Sequence, residues 1–537
     1  MDENSFTRRT AMLGAAGGGM AAALTASCAS AGDDPGQTDL ERAIDEAVRK
    51  AMADFQQPGA AVAVVKAGRV ILARGYGVKT LGRLEPVTER TAFNIASAAK
   101  NFTAASIAIL VDEGALAWDE PVRRRLPEFM LSDPVRSEQM TVRDLLVHDS
   151  GLALGAGDLM VWPYTTHSRA EVVAGLRYLP LDKGFREGYA YDNVLYVAAG
   201  ELVARVAGRS WEEVVRQRLL APAGMADSDP QFDLAGNGDR ASGHARLGDP
   251  RGTGALETLP RAPRAFSNAA PAGGMGLSAR DAARWLQIQL GKGAAPDGSR
   301  LWSAAQAEAM WTPRVIARVT DGPTAERPDR GIFNLYALGW EVQDYRGRKL
   351  IWHGGYSSGF TSALVLVPGL DAGVAVFANA EGGFVQAARN ILIDRLMGVS
   401  DKDWSAFFAE REAQARARAA SRGPTSELMR PADAAAQALP WSAYAGVYRD
   451  AWYGEVRVAR ARAGLAVDFT RTPGMQGALE PWSGESFRTR FGDRNMEDAL
   501  ITFESAAGRV TGATARPLSP NADFSFDFQH LSLRRAG

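Results

Sequence analysis

The sequence predicts an α+β fold in which helices flank an antiparallel sheet that carries an all-helical insert, followed by a small C-terminal β-barrel domain. Strand patterns lie on both sides of a largely helical middle segment, which indicates one sheet interrupted by a helical insertion. Short alternating strands punctuated by Gly or Pro follow, as in a small barrel or sandwich. A chain of 537 residues also exceeds what one hydrophobic core usually serves.

The first domain is assigned to residues 38–400. Two apolar runs joined by Ala67-Gly68 indicate a hairpin, and two later runs flank a turn that begins at Pro368-Gly369. The strands of the sheet are predicted at residues 61–66, 69–76, 361–367 and 373–379, with a closing helix at 384–397.

Residues 401–439 are predicted to link the two domains. The segment Trp404–Arg422 is rich in Ala, Glu and Arg, which is typical of an exposed helix, and Gly423-Pro424 ends it. The second domain is assigned to residues 440–537. Its clearest strands are predicted at 455–458, 464–469 and 499–503.

Residues 1–31 are predicted to be an export signal rather than part of the fold. Arg8-Arg9 precedes a run of Ala and Gly, which is typical of a twin-arginine signal. A membrane-spanning helix is the alternative, but the run is short and rich in glycine. We therefore expect an exported protein, either periplasmic or tethered to a membrane.

Cys28 decides between those two destinations. Leu24-Thr-Ala-Ser-Cys28 is an imperfect lipobox, in which lipidation of Cys28 would tether the protein to a membrane. Ala29-Ser30-Ala31 offers a competing cleavage site that would remove Cys28. The lipoprotein is favoured because the single cysteine of the chain, which allows no intramolecular disulfide, has no other evident use.

Composition limits the possible partners. The 61 Lys and Arg residues nearly balance the 62 Asp and Glu residues, so nothing favours a nucleic acid. The five histidines are scattered, and no set of residues has the spacing of a zinc site. We expect no metal and no other cofactor, and a small molecule or short peptide as substrate. The oligomeric state is left open.

Three short motifs with reactive side chains occur in order. Ser97-Ala-Ala-Lys100 opens a predicted helix, in which residues i and i+3 share a face, so the two side chains lie together. A serine hydroxyl becomes nucleophilic when a base takes its proton, and a neutral lysine amine can be that base. The other motifs are Tyr191-Asp-Asn193, in a loop before a helix, and His353-Gly354-Gly355, before a strand.

Together with residues 145–152 and 271–278, these motifs resemble the serine β-lactamase and penicillin-binding-protein superfamily, in its class C β-lactamase, D-aminopeptidase and esterase branch. The resemblance covers residues 40–397 and implies that Ser97 is the nucleophile. Lys100 would take its proton or hold Tyr191 in a reactive state. Tyr191 would carry the proton to the leaving group, and Asn193 would position Lys100 and the substrate.

The resemblance also implies where the substrate lies. The backbone N–H groups of Ser97 and Tyr356 would form an oxyanion hole, and Gly354, Gly355 and Tyr356 would bind substrate. His353 is a further catalytic candidate. Some peptidases of this branch also have a C-terminal β-barrel, which implies a lipocalin-like second domain here.

The third motif departs from the β-lactamase pattern, which usually has Lys-Thr-Gly at this place. A histidine is only partly charged near neutral pH, so His353 should bind a substrate carboxylate weakly and in a pH-dependent way. The resemblance implies that members of this branch with His-x-Gly are peptidases or esterases rather than efficient β-lactamases, which favours a peptide or other amide substrate.

The proposed base needs an altered pKa. A free lysine has a pKa of about 10.4, so burial or a cationic neighbour must lower the pKa of Lys100. A Lys100 cation would in turn favour the phenolate of Tyr191. The two groups are expected to titrate as a coupled pair, and the sequence leaves open which of them holds the proton.

Other interpretations of these residues compete. Gly355-Tyr-Ser357-Ser-Gly359 matches a nucleophile elbow, but that elbow needs a helix after it, and a strand is predicted here. Ser97 could be a simple helix cap, with Lys100 in solvent. His148 is interpreted as a structural histidine that bonds local carbonyl groups at a helix end.

The sequence thus predicts a serine hydrolase that forms an acyl-enzyme on Ser97. The first choice is a peptidase or amidohydrolase for short or unusual peptides, such as D-residue or linearised cyclic peptides. The alternatives are a carboxylesterase and a slow-turnover penicillin-binding protein or weak β-lactamase. A different alternative is an interaction protein with a vestigial catalytic domain, which the intact motifs disfavour.

Overall fold

The computed structural model describes residues 38–248, 251–260, 268–422, 429–462 and 464–537. The predicted export signal with Cys28 and the predicted helix end at Gly423-Pro424 lie outside these residues. The strands of the first domain, in chain order, are β1 Gly59–Lys66, β2 Arg69–Gly77, β3 Phe93–Asn94, β4 His244–Arg246, β5 Leu256–Thr258, β6 Gly276–Leu277, β7 Val315–Val319, β8 Phe333–Tyr336, β9 Glu341–Tyr345, β10 Arg348–Ser357, β11 Phe360–Val367 and β12 Ala372–Ala378.

Helices precede the first of these strands, lie between others and follow the last of them. In chain order they are α1 Asp39–Phe55, α2 Lys100–Asp112, α3 Pro134–Gln139, α4 Arg169–Gly175, α5 Val194–Ala207, α6 Trp211–Val215, α7 Ala270–Gly273, α8 Ala279–Leu290, α9 Ala304–Trp311, α10 Phe384–Met397 and α11 Trp404–Arg422. A 3₁₀ helix, Ala96–Ala99, leads directly into α2.

The central sheet is antiparallel throughout and, in the described residues, has the strand order β2-β1-β12-β11-β10-β9-β8-β7. The predicted hairpin, the two later strands and the closing helix are all present. The edge formed by β7, β8 and β9 was not anticipated, because these strands are short and lack a continuous apolar pattern. The predicted α+β sheet is confirmed.

Both faces of the sheet are buried. Along β1, Val62 and Val64 face a cluster with α1 and α10, whereas Ala61, Ala63 and Val65 face the opposite cluster with α2 and α8. This alternation follows from the two-residue period of a strand. The long segment between β2 and β7 is the predicted helical insert, and it also contains two small two-stranded sheets, β3-β6 and β4-β5.

Helix α2 lies at the centre of the domain. Its residues from Lys100 to Leu110 are all buried, and Phe102 stacks on Trp285 of α8 with a centroid separation of 3.9 Å. Lys100 is therefore a cation-forming residue at the start of a buried helix, in which Asn101, Thr103 and Ser106 are also polar and buried.

Helix α11 differs in part from its prediction as an exposed helix. Trp404 and Phe408 are buried against α10, and the indole Nε1 of Trp404 donates to Asp394 Oδ2 at 2.7 Å. The side chain of Glu412 accepts the backbone N–H of Gly383 at 2.9 Å. The first part of this helix is thus packed onto the first domain, because its few aromatic residues share one face.

The second domain is a closed antiparallel barrel in the described residues. After the short helix α12 Trp441–Tyr444, its strands follow one another around the barrel in chain order. They are β13 Gly446–Asp450, β14 Gly454–Ala461, β15 Gly464–Phe469, β16 Gln476–Ser483, β17 Ser486–Phe491, β18 Ala499–Ala506, β19 Arg509–Pro517 and β20 Ser532–Arg535. The last strand closes the barrel by pairing with the first, Tyr448 opposite Arg535. The predicted C-terminal barrel is confirmed.

The barrel contacts the helical insert of the first domain through several groups. Arg471 forms an ion pair with Glu171 of α4 at 2.6 Å, and its carbonyl accepts the backbone N–H of Thr166. The connection between β19 and β20, residues 518–531, packs against residues 155–159 of the insert. Within the described residues, none of the helices has the length and apolar character needed to cross a bilayer.

Replacing Trp404 by alanine should destabilise the first domain by about 3–5 kcal/mol, since it removes a large buried side chain and leaves a cavity. Chemical denaturation of the full chain measures this loss. Trp441→Ala is the matched control: Trp441 is 36% exposed, so it should lose about 1 kcal/mol or less. Equal losses for the two variants would show that α11 does not depend on its packed face.

Candidate active site

Ser97 lies just after a constrained backbone segment. Ala96 has a φ of +46°, in the left-handed region that alanine rarely adopts, and its N–H donates to Asn94 Oδ1 at 2.7 Å. Strained residues of this kind persist where the surroundings over-determine them, often beside reactive groups. Ser97 itself is half-buried in a run of buried neighbours, so its side chain reaches a partly open position.

Strand β10 approaches this segment very closely. A Cβ atom placed on Gly355 would lie 2.1 Å from the carbonyl oxygen of Ile95, so only glycine fits there. That same carbonyl accepts the hydroxyl of Ser362, on β11, at 2.6 Å. Gly354, Gly355 and Tyr356 are half-buried beside the nucleophile segment. The motif therefore lies within a strand rather than before one, and its role in substrate binding stays a prediction, as does the oxyanion hole.

Lys100 is fully buried and surrounded by three oxygen atoms. Its Nζ lies 3.2 Å from Ser97 Oγ, 2.7 Å from Asn193 Oδ1 and 2.8 Å from the carbonyl oxygen of Ala272. Ala272 belongs to α7, and Asn193 immediately precedes α5. Three separate elements therefore hold the amine next to the serine, and the alternative of a solvated Lys100 is excluded.

Burial lowers the pKa of Lys100 to about 7, against the opposing effect of the Asp158 and Asp192 carboxyl groups. The charged form is disfavoured because the ammonium loses its hydration inside the protein. A substantial fraction of Lys100 is therefore a neutral amine at neutral pH. Such an amine has a lone pair that can accept the Ser97 proton.

The pKa of Tyr191 is shifted in the opposite direction from that of Lys100. Burial raises the pKa of its phenol well above the usual range, although a hydrogen bond with the Ser97 side chain acts against this rise. Its ring lies near the amine, with Lys100 Nζ 4.8 Å from the ring centroid. Burial thus favours the neutral form of both groups, the free amine of Lys100 and the protonated phenol of Tyr191.

The side-chain amide of Asn193 lies between Lys100 and Asp158 and is hydrogen-bonded to both. Its Oδ1 accepts from Lys100, and its Nδ2 donates to Asp158 Oδ2 at 2.9 Å. Since an amide has one accepting and one donating end, the buried carboxyl group orients the amide so that its oxygen faces the amine. Asp158 was missed at the sequence level, because no motif marks it.

His353 is neutral and fully engaged within the protein. Burial, and then the nearby Lys100, lower its pKa to about 3. Its Nδ1 donates to the carbonyl of Gly354 at 2.7 Å, so its Nε2 accepts the hydroxyl of Tyr336 at 2.9 Å. The expectation of a partly charged histidine was therefore wrong: the buried strand position removes the hydration that a charge would need.

His148 packs behind the tyrosine rather than at a helix-end carbonyl. Its ring lies 4.2 Å from the Tyr191 ring, and its Nδ1 accepts the backbone N–H of Asp192 at 3.2 Å. Ser357 is buried at the end of β10, and the strand β11 follows it directly. The helix that a nucleophile elbow needs is absent from this position, so Ser357 does not have the geometry of a nucleophile.

The structure thus brings Ser97, Lys100, Tyr191 and Asn193 into one cluster, with the 354–356 segment beside it. His353 lies in the same region but turns both nitrogens inward. Two groups of the cluster were not singled out from the sequence, namely Asp158 and the carbonyl of Ala272. The second lies within the 271–278 motif, which was a usable signal.

Comparisons with known proteins identify the family of the first domain. Residues 44–397 match the family described as Beta-lactamase, and residues 430–535 match a domain of unknown function called DUF3471. The chain is similar to the unguisins hydrolase ungD' of Aspergillus campestris, at 28% identity over 78% of each protein. It is also similar to penicillin-binding protein 4 of Amycolatopsis lactamdurans, at 30% identity over 64% of this chain and 85% of that one.

Two solved structures share the fold. An octameric penicillin-binding protein homologue from Pyrococcus abyssi superimposes with a TM-score of 0.57 at 21% identity, over 90% of this chain and 97% of that chain. The D-amino acid amidase of Ochrobactrum anthropi SV3 superimposes with a TM-score of 0.55 at 22% identity, over 67% of this chain and 99% of that chain.

The dependence of kcat/KM on pH should follow the protonation of the Lys100 amine. Below pH about 7 the amine is protonated and cannot accept the serine proton, whereas above it the amine is free. The kcat/KM for p-nitrophenyl butyrate should therefore rise by about tenfold per pH unit on the acid side and level off near pH 7. The variant Tyr191→Phe should be slower yet keep this midpoint. Loss of the transition in Tyr191→Phe would make the tyrosine the base instead.

Gly355→Ala should lower kcat/KM by about 100-fold, because the new methyl group pushes β10 away from the segment before Ser97. The same ester assay measures this loss. Gly369→Ala is the control, since the nearest atom to a Cβ there is the end of an arginine side chain at 3.8 Å. Wild-type activity in Gly355→Ala would mean that the close approach does not shape the site.

Proposed function

Because the chain belongs to the beta-lactamase family of serine hydrolases, we propose that it is a peptidase or amidohydrolase that forms an acyl-enzyme on Ser97. The observation that carries this proposal is the buried amine of Lys100, 3.2 Å from Ser97 Oγ and with a pKa lowered to about 7. That pair supplies both a nucleophile and its base in a water-poor site.

Acylation then proceeds in balanced steps. Ser97 Oγ attacks the substrate carbonyl carbon while its proton passes to Lys100 Nζ, and the carbonyl oxygen becomes an oxyanion. The oxyanion collapses, the bond to the leaving group breaks, and Tyr191 donates its phenolic proton to the departing nitrogen. Lys100 returns its proton to Tyr191, so both groups regain their starting state. Water attacks the ester in the second half, with the same groups acting in reverse.

The protonated state of Tyr191 supports an amide substrate. An amine is a poor leaving group unless it receives a proton, and a neutral phenol hydrogen-bonded to Ser97 is placed to give one. An activated ester needs this donor less. The neutral state of His353 adds to the argument, since a neutral imidazole does not hold a substrate carboxylate by charge.

The substrates that we propose are short or unusual peptides, including D-residue and linearised cyclic peptides. The names of the relatives support hydrolysis of this general kind: one is an unguisins hydrolase, and a protein that shares the fold is a D-amino acid amidase.

The test compares initial rates on D- and L-alanine p-nitroanilide with those on p-nitrophenyl butyrate. Ser97→Ala should lose at least about a thousandfold on every substrate that the wild type cleaves. Ser357→Ala is the matched control, because it removes the other serine considered, and it should keep its activity.

The outcomes separate the candidates. Cleavage of a p-nitroanilide that disappears in Ser97→Ala supports the proposal, and the ratio of D to L rates begins the substrate assignment. Cleavage of the ester alone makes the chain a carboxylesterase. A stable adduct of benzylpenicillin on Ser97 without turnover identifies a slow penicillin-binding protein. Full activity in Ser97→Ala overturns the mechanism.

A further inference from the structure

The barrel reaches the active site through the loop between β19 and β20. Ser525 of this loop is buried, and its hydroxyl donates to Asp158 Oδ2 at 2.8 Å. The neighbouring Phe524 places its ring edge-on to that of Tyr191, with a centroid separation of 5.9 Å. A domain that is separate in sequence therefore contacts the cluster around Ser97.

The same loop hydrogen-bonds the backbone on both sides of Asp158. The carboxylate of Asp527 accepts the N–H of Gly157 at 2.7 Å and the N–H of Leu159 at 2.9 Å. The fit is close, since a Cβ placed on Gly155 would lie 2.7 Å from the Phe524 carbonyl oxygen. The position of Asp158 is thus set by the barrel as much as by the domain that contains it.

A continuous line of hydrogen bonds runs from this loop to the catalytic amine. Asp158 Oδ2 accepts from Ser525 on one side and from Asn193 Nδ2 on the other. Asp158 is fully buried, and no described residue hydrogen-bonds its other oxygen, so Oδ2 alone carries the link. Asn193 Oδ1 in turn accepts from Lys100 at 2.7 Å. Each link fixes the orientation of the next, because both ends of the Asn193 amide are committed.

We propose that Ser525 and Asp158 are positioning residues for the reaction, so that the barrel completes the catalytic site by holding Asn193 and, through it, Lys100. This inference rests on the proposed function, since it assigns the positioning of the proposed base. It also gives the barrel a role within the site: the first domain holds Ser97 and Lys100, and the second domain orients the partner of Lys100.

The test uses the full chain and p-nitrophenyl butyrate, an activated ester that an amidase and an esterase site both cleave. Ser525→Ala should lower kcat by about tenfold and change KM by no more than about twofold, because it removes one hydrogen bond to a buried carboxyl group that does not touch substrate. Ser525→Thr keeps a hydroxyl and should restore most of the loss. Ser486→Ala is the control and should match the wild type, since Ser486 is a half-buried barrel serine whose hydroxyl is bonded to Thr502.

A double-mutant cycle separates positioning from folding. In an Asn193→Ala background the line to Lys100 is already broken, so Ser525→Ala should have no further effect on kcat. An equal loss in both backgrounds, or a kcat of Ser525→Ala within about twofold of the wild type, would overturn the proposal. A loss accompanied by a lowered thermal midpoint that Ser525→Thr fails to restore would show a structural role instead.

The wild type distinguishes this inference from the function on which it rests. If the wild-type chain turns over neither the ester nor the p-nitroanilides, and its Ser97 is not labelled by a fluorophosphonate probe, the proposed function fails. If the wild type is active and the Ser525 variants are as active as the Ser486→Ala control, the proposed function stands and the positioning role fails.

Discussion

The burial of one amine organises much of this protein. Lys100 begins a helix that is enclosed on all sides, and its Nζ loses water that only other polar groups can replace. The structure supplies those groups from Ser97, Asn193 and the Ala272 carbonyl, which lie on different elements. The same loss of water lowers the pKa of the amine to about 7, so that part of it is neutral at neutral pH and can accept a proton. Packing and reactivity therefore have a common cause.

The serine is placed by contacts between the sheet and the helical insert. Residue 95 precedes the strained Ala96, and its carbonyl meets both the Cα of Gly355 on β10 and the hydroxyl of Ser362 on β11. A side chain at Gly355 would separate these elements. The narrow gap between strand and helix start thus gives the nucleophile a fixed position beside the interior strands β10 and β11, where residues 354–356 lie half-buried.

The barrel extends this arrangement beyond the first domain. Asp527 satisfies two backbone N–H groups around Asp158, and Arg471 pairs with Glu171 on a nearby helix. The buried end of this contact contains carboxyl groups whose pKa values are raised by burial, Asp158 and Asp527 among them. Such groups are costly to bury without partners, and here each of the two carboxyl groups accepts hydrogen bonds from the other domain.

The sequence by itself determined the fold class, the hairpin at β1 and β2, the strands β11 and β12, the helix α10 and the C-terminal barrel. Each is a local pattern of apolar residues and turns, which neighbouring residues fully specify. It also singled out Ser97, Lys100, Tyr191 and Asn193 as site candidates. The spacing within each of their two motifs is short, and the order of the motifs is distinctive. The sequence did not predict the short strands β7 to β9 or the packed face of α11, because their apolar patterns are brief.

Only the tertiary structure shows that Lys100 is buried, that His353 is neutral and that Ser525 of the barrel contacts Asp158. Burial removes the water around both Lys100 and His353, and His353 also accepts a hydrogen bond from Tyr336 of strand β8. Asp158 and Ser525 are 367 positions apart and carry no motif. Burial and pairing are properties of residues that meet only after folding, so no local pattern encodes them.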